Sequence, residues 1–348
     1  MMPDNAIKKP SKLLFLIWGG IGNMVMALPM IKAARGSLPE TSFVILAQKR
    51  AMLYLLGDDP HTEKIHLDDP RYKGIAGKTK LIREIRDLKP DAAISTVPSP
   101  RLRSGMLAFF SGAGLRICHM KYGSVFFNIQ IPSDKKHFTY QNLSLLAPLG
   151  ILTDEIEYSM IFSSNSEKLA REFFAARNIK ANDKIVGIHP GAGDIHKRWP
   201  AAKFIALGKE LIKLGLRPVV FGGPDEAALV KEVSLGISKD TIHFTGNDDL
   251  QYTLALIKRC HLFISNDSGL AHCAAAMKIA TIIIFGPTDP EVCAPISPNV
   301  VVVKDDIDCG PCYRPGNKYG CSSFPIRCLN ISVESILQQI KEMIEDRV

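Results

Sequence analysis

Residues 261–285 read HLFISNDSGLAHCAAAMKIATIIIF, and this stretch decides the fold class. Two apolar runs, at 261–265 and 280–285, bracket a polar turn and an alanine-rich segment of helical length at 268–278. The second run is apolar throughout, the pattern of a strand buried on both faces. Strand, helix and strand in that order make a unit with parallel strands. Working outward, the alternation recurs. Upstream lie strands at 184–189 and 217–221, a helix opening near Pro200 and a helix at 250–258. In the first half, strands at 13–18, 42–47 and 91–96 alternate with a helix running to Arg35 and helices at 78–88 and 103–110. The pattern loosens around 138–160, where a domain junction is placed, and residues 332–346 read as an amphipathic closing helix. There is no internal sequence repeat and no low-complexity tract.

The chain has 348 residues, 46% apolar and 22% charged. At about 150 residues per domain this implies two domains, and it excludes a disordered tail, a collagen-like fibre and a small disulfide scaffold. The net charge of +8 is unevenly placed: residues 1–150 hold 21 Lys and Arg against 11 Asp and Glu, whereas 151–348 hold 22 against 24. The basic excess lies wholly in the first half, where an anionic partner is expected: nucleic acid, a membrane surface or an acidic substrate. The longest apolar run near the N-terminus, 13–18, is six residues, far short of the ~20 that a spanning helix needs. Lys8, Lys9 and Lys12 precede it, but it runs into a glycine turn without a clear cleavage site, so a cytoplasmic protein is expected.

Three strand-to-helix turns carry the chemistry. The first, Trp18-Gly19-Gly20-Ile21-Gly22-Asn23, has glycines that let a backbone approach a ligand. Asn23 reads there as a ligand contact or as a helix cap. The second runs from His189-Pro190-Gly191 through Asp194, Lys197 and Arg198 to Trp199-Pro200. It is longer than the ~2–6 residues of an ordinary connection in such folds, and its cations suit a phosphate. The third, Asn266-Asp267-Ser268-Gly269-Leu270-Ala271-His272, opens a helix whose unpaired amides suit a pyrophosphate. His272, four residues after Ser268, addresses the same helix face. Past a further strand, Gly222-Gly223-Pro224-Asp225-Glu226 places an acid where ribose hydroxyls are met in nucleotide-binding folds, or where a helix is capped.

Taken together, these turns resemble glycosyltransferase family 9, the lipopolysaccharide heptosyltransferases, over nearly the full chain. The most specific match is Asn266 to His272 followed by Phe285-Gly286-Pro287-Thr288; next come His189-Pro190-Gly191, Lys197 and Trp199-Pro200, with 22–29, Arg103-Ser104 and Gly112 in support. The resemblance implies an α/β GT-B fold, two facing Rossmann-like doubly wound domains with a cleft between them. The divisions expected are an acceptor-binding domain at 1–160, a nucleotide-sugar-binding domain at 161–330, and a helix at 331–348 packing back on the first domain. It further implies inverting transfer of heptose from ADP-heptose to a lipopolysaccharide core acceptor, with no cofactor and no active-site metal. Gly191, Lys197, Glu226, Asp267, Ser268, Gly269 and His272 would bind the donor, Lys197 at its phosphates and Glu226 at its ribose. Gly20, Gly22 and Asn23 would form the acceptor-side loop.

Many members of the family carry a catalytic Asp directly after the last glycine of that loop; here the position holds Asn23. An amide cannot take a proton from the acceptor hydroxyl, and loss of a positioned base costs ~10²–10⁴ in rate. Asp194 is a candidate replacement. The alternatives are another nucleotide sugar and surface glycan, or a sugar-nucleotide-binding protein of weak activity. The expected partners are thus a nucleotide sugar and a glycolipid at the inner membrane surface, reached peripherally, rather than nucleic acid. Cys118, Cys260, Cys273 and Cys293 suit buried positions, while Cys309, Cys312, Cys321 and Cys328 cluster with one C-x-x-C spacing, as a structural metal site or as thiols.

Overall fold

The computed structural model describes residues 9–132, 135–158, 160, 162–180, 182–246, 250–313, 321 and 326–345. The chain divides into two compact units, Met1–Ile161 and Phe162–Val348. In the first, β1 (Lys12–Ile17), β2 (Ser42–Ala47), β3 (Thr62–His66), β4 (Ala92–Ser95), β5 (Leu115–His119) and β6 (Ile129–Ile131) form one sheet in the order β3-β2-β1-β4-β5-β6. In the second, β7 (Ile185–His189), β8 (Arg217–Gly222), β9 (Ile242–Thr245), β10 (Leu262–Asn266), β11 (Ala280–Phe285) and β12 (Val300–Lys304) are ordered β12-β11-β10-β7-β8-β9. Every pairing is parallel. Counted from its own first strand, each sheet has the order 3-2-1-4-5-6. This is the doubly wound Rossmann arrangement, which binds ligands where the strand order reverses. Those points are β1 beside β4 and β7 beside β10. The two halves share this order without sharing a sequence repeat.

The central strands are the apolar runs of the sequence: β11 is buried along its whole length, and five of the six residues of β1 and of β2 are buried. Both faces of such strands are covered by helices, so nothing selects for alternation. Flanking strands escaped the sequence reading. β3, Thr-Glu-Lys-Ile-His, buries only Ile65, and β6 has three residues. β5, β9 and β12 were likewise not anticipated.

The second core runs from Val186 and Ile188 through Trp199, Phe204 and Ile282 to Ile336 and Ile340. Trp199 is its largest side chain, edge-on to Phe204 at 4.9 Å and donating from Nε1 to the Ile331 carbonyl. The last two core members lie on the closing helix Val333–Glu345. Its buried residues complete the second core, against the helix Ala201–Lys213 and β11. Pro200 stands one residue before that helix, as its cap. Among the described residues, no helix is long and apolar enough to cross a membrane.

Candidate functional site

The reversal point of the second sheet gathers the residues expected at the donor. β7 ends on His189 and β10 on Asn266, with His189 in register with Ser265. The 190–199 loop leaves the first strand end, and the turn into the helix Gly269–Ala276 leaves the second. Asn266 fastens the two together. Its Nδ2 donates to the carbonyls of Pro190 (2.8 Å) and Gly191 (3.2 Å), and its Oδ1 accepts from the Trp199 amide (2.9 Å). One fully buried amide side chain thus holds both ends of the loop that carries Lys197. Asn266 opens the most specific motif of the sequence, and its place as the last residue of a strand is the signal there for this fastening role.

Lys197 Nζ donates to Asp267 Oδ2 at 2.6 Å, and Thr288 Oγ1 donates to the same oxygen at 2.8 Å. The Lys197 ammonium also stands 4.8 Å from the centre of the Tyr313 ring. Burial alone would push the Lys197 pKa down, but the charge and hydrogen bond of Asp267 outweigh it and raise it. The cation is therefore fixed in place before any anion arrives. Asp267 faces a lysine and a hydroxyl; a carboxylate repels a phosphate, so its contribution runs through Lys197. Thr288 is a second residue that the sequence reading left without a role.

A continuous polar chain lies alongside. His189 Nδ1 is 3.0 Å from Ser268 Oγ and 3.2 Å from Ser265 Oγ, and His189 Nε2 is 3.0 Å from Glu226 Oε2, which also accepts from the Gly223 amide at 2.9 Å. A carboxylate can only accept, so His189 Nε2 carries a proton and donates to Glu226. Burial raises the Glu226 pKa, but the His189 hydrogen bond, its charge and the Gly223 amide win and hold the carboxyl at about 2. Arg198 Nη2 is 3.9 Å from the other oxygen, Oε1. The resemblance assigned Glu226 to a ribose; one of its oxygens is already engaged within the protein. Gly191 borders this carboxylate so closely that a Cβ there would collide with it.

Ser268 caps the helix Gly269–Ala276, its Oγ accepting from the Ala271 amide at 3.3 Å. The Gly269 and Leu270 amides belong to the first turn, outside intrahelical bonding, and His272 is buried one turn on. Gly191, Lys197, Glu226, Asp267, Ser268, Gly269 and His272 are thus all at one strand-end cluster. Asp194 Oδ1 accepts from the His196 amide at 2.9 Å and pairs with His196 Nδ1 at 2.8 Å, capping the short turn Ile195–Lys197.

The first glycine turn leaves β1 at its own sheet's reversal point. Gly19 has φ +89° and donates its amide to Gln48 Oε1 at 2.8 Å. Gly20 is the cap residue of the helix Ile21–Ser37, so Asn23 sits inside the first turn and does not cap it. Its Nδ2 reaches back to the Trp18 carbonyl at 3.0 Å, over Gly19, where a Cβ would collide with the amide. The helix start has no side-chain cap and no acid in its first turn.

The model of glycosyltransferase family 9 (heptosyltransferase) matches residues 78–322, well over half of the chain. The chain belongs to glycosyltransferase family 9. Lipopolysaccharide heptosyltransferase 3 of Escherichia coli (strain K12) is 27% identical over 293 residues, 80% of this chain and 84% of that protein. Lipopolysaccharide heptosyltransferase 2 of the same strain is 22% identical over 310 residues, 84% and 88% of the two chains. Among solved structures, E. coli ADP-heptose LPS heptosyltransferase II superposes with a TM-score of 0.75 at 20% identity, covering 97% of this chain and 100% of that one. A family 9 glycosyltransferase from Veillonella parvula reaches 0.83 at 22% identity, covering 98% and 100%. The two Rossmann sheets are those of a GT-B glycosyltransferase.

In this family 9 glycosyltransferase the cysteines divide as their settings dictate. Cys118, Cys260 and Cys273 are buried, and burial pushes their thiols up, Cys118 to about 12. Cys293 is partly exposed and is pushed up for the same reason. Cys309, Cys312, Cys321 and Cys328 line one small pocket with His196 and Pro287. Residues 314–320 and 322–325, which connect them, are outside the described part. Among the described residues, no three His, Cys, Asp or Glu side chains stand together at metal-binding distance.

Proposed function

We propose that this glycosyltransferase moves heptose from ADP-heptose to a lipopolysaccharide core sugar, with inversion at the transferred carbon. The observation that carries the reading is the Lys197–Asp267 pair beside the N-terminus of the helix Gly269–Ala276. A cation fixed in advance and a helix N-terminus at one strand-end cluster suit the pyrophosphate of a nucleotide sugar. Lys197 and the Gly269 and Leu270 amides take up the charge that develops on the leaving diphosphate, without reorganising when the glycosidic bond breaks. Asp267 and Thr288 hold Lys197 in position. His272 lies on the sugar side of the same helix turn. Glu226 Oε1 is the oxygen left to meet a ribose hydroxyl, while Oε2 anchors His189. The names of the relatives support a heptose donor and a core acceptor, and the basic first unit suits a phosphorylated glycolipid.

The Gly20–Gly22–Asn23 turn is the acceptor-side element of this reading. Inversion by direct displacement needs a proton acceptor for the attacking hydroxyl, and an amide supplies none. A second reading, donor binding with little turnover, rests on that one residue. Incubation with ADP-heptose and a core acceptor separates the two: transfer adds the mass of one heptose to the acceptor. Donor binding by calorimetry with no product, from the wild type and from Asn23→Asp alike, overturns the transferase reading. A sharp rise in turnover with Asn23→Asp identifies the missing base as the limitation. A calorimetric panel of ADP- and UDP-sugars tests the donor.

A further inference from the structure

The first unit carries an apolar surface that the transfer chemistry leaves unused. The outward positions of the helix Arg101–Phe110 are Arg101, Leu102, Arg103, Met106, Phe109 and Phe110, while Ser104, Gly105, Leu107 and Ala108 face the core. Leu102 is 63% exposed, Met106 40%, Phe109 47% and Phe110 38%. A surface helix ordinarily turns its apolar stripe inward and its polar face outward; this one is apolar on both. The turn at 120–125 extends the same surface. Ser124 and Phe126 lie against Gly105 with no space for a Cβ, and Phe126 meets Phe109 at 5.6 Å between ring centres. Arg101 Nε donates to the Lys121 carbonyl at 3.0 Å. Met120 and Val125, in that turn, are 55% and 94% exposed. Single exposed apolar residues are ordinary; six on adjoining segments mark a surface that something covers.

Charge indicates what covers it. No acidic residue occurs between Asp91 and Asp134, whereas Arg101, Arg103, Arg116 and Lys121 all fall in that interval. Large apolar side chains among arginines, in a stretch of chain without an acid, match the composition of a segment lying in the interface of an anionic bilayer. There the apolar groups enter the acyl boundary and the cations meet headgroup phosphates. The surface also adjoins the first glycine turn, because the Arg103 guanidinium stacks over Trp18 at 5.1 Å and Trp18 directly precedes Gly19. We propose that the helix Arg101–Phe110 and the 120–125 turn dock this protein on an anionic phospholipid bilayer. Its purpose rests on the lipid-linked acceptor proposed above: docking here sets the glycine turn at the level of the headgroups, where such a sugar is carried.

The test needs neither donor nor acceptor, so its failure leaves the transferase reading standing. The protein is floated with vesicles of phosphatidylcholine, with and without phosphatidylglycerol, at low and high salt. Flotation is expected with the anionic vesicles, weakening as salt rises, and Leu102→Ser with Met106→Ser lowers the affinity by about tenfold or more. Circular dichroism and an unchanged urea midpoint report whether that variant is folded. Met106→Trp is the second probe, since the native Trp18 and Trp199 are both buried. Its fluorescence shifts to the blue on anionic vesicles and is quenched by brominated lipid. Absence of wild-type flotation overturns the proposal, as does flotation unchanged by the double substitution with no shift of the introduced indole. Light scattering that shows a dimer, dissociated by the double substitution and not associated with vesicles, assigns the surface to a second copy and overturns it equally.

Discussion

Replacing Glu226 by Gln keeps the shape of a buried side chain and removes its charge. Oε2 accepts from His189 Nε2 at 3.0 Å and from the Gly223 amide at 2.9 Å. The carboxyl is held at about 2 against 4.5 for an unperturbed glutamate; burial opposes this, and the His189 hydrogen bond leads the groups that overcome it. At about 1.4 kcal/mol for each pH unit, the carboxylate contributes roughly 3 kcal/mol of stability at neutral pH. Because the folded pKa is the lower one, that contribution is complete above about 4.5, declines as pH falls, and is gone below about 2. The amide oxygen of Gln still accepts a neutral hydrogen bond worth about 1 kcal/mol, so the variant is expected to be less stable by about 2 kcal/mol at neutral pH. Urea titrations followed by tryptophan fluorescence measure this, in a Trp18→Phe background that leaves Trp199 to report on the second unit. The gap between the parent and Glu226→Gln narrows from about 2 kcal/mol to near zero as pH falls to about 3. A gap that stays constant over that range refutes the reasoning, because it means the charge is not what holds His189.

The other expectations concern the loops. Lys197→Met removes the fixed cation and leaves Asp267 buried with Thr288 alone; initial rates of transfer fall by ~10²–10³, and the urea midpoint of the second unit falls with them. Asn266→Ala deletes three hydrogen bonds and orphans the Trp199 amide; the cost is about 2–3 kcal/mol, and trypsin cuts at Lys197 or Arg198 faster than in the parent. Asn23→Asp exchanges a donor for a carboxylate facing the Trp18 carbonyl, and destabilises the first unit by about 1–2 kcal/mol, as read from Trp18 fluorescence in urea. Gly191→Ala drives a methyl into the Glu226 carboxylate and displaces it, so that the acid-limb behaviour of the variant approaches that of Glu226→Gln.

Certain parts of the fold were legible because their physical causes are local. β1, β2 and β11 are continuous apolar runs, since a central parallel strand is covered on both faces. β3 and β9 are partly exposed and carry Glu63, Lys64 and His243, so their strand character comes from the neighbour each pairs with, β2 and β8. The closing helix was legible as amphipathic but not as to where its apolar face goes. Any exposed apolar groove satisfies the pattern, and the assembled second core is where Ile336 and Ile340 are buried.

The candidate site divides along the same line. Which turns stand apart from ordinary connections is written in the sequence, because glycine, a helix-start serine and an over-long charged loop each have a local reason to stand at a strand end. The partner of each group is not. Lys197 meets Asp267 across 70 residues, and His189 meets Ser268 across 79. These pairs exist because the parallel sheet sets β7 beside β10 and brings their ends together. The sequence by itself determined a doubly wound α/β chain, a basic first half and a set of phosphate-suited turns. The tertiary structure decided that Asp267 and Glu226 hold a lysine and a histidine, and that Asn23 secures a backbone carbonyl. Hydrogen-bond partners follow from which strand ends are neighbours, and strand order is settled by packing the whole sheet.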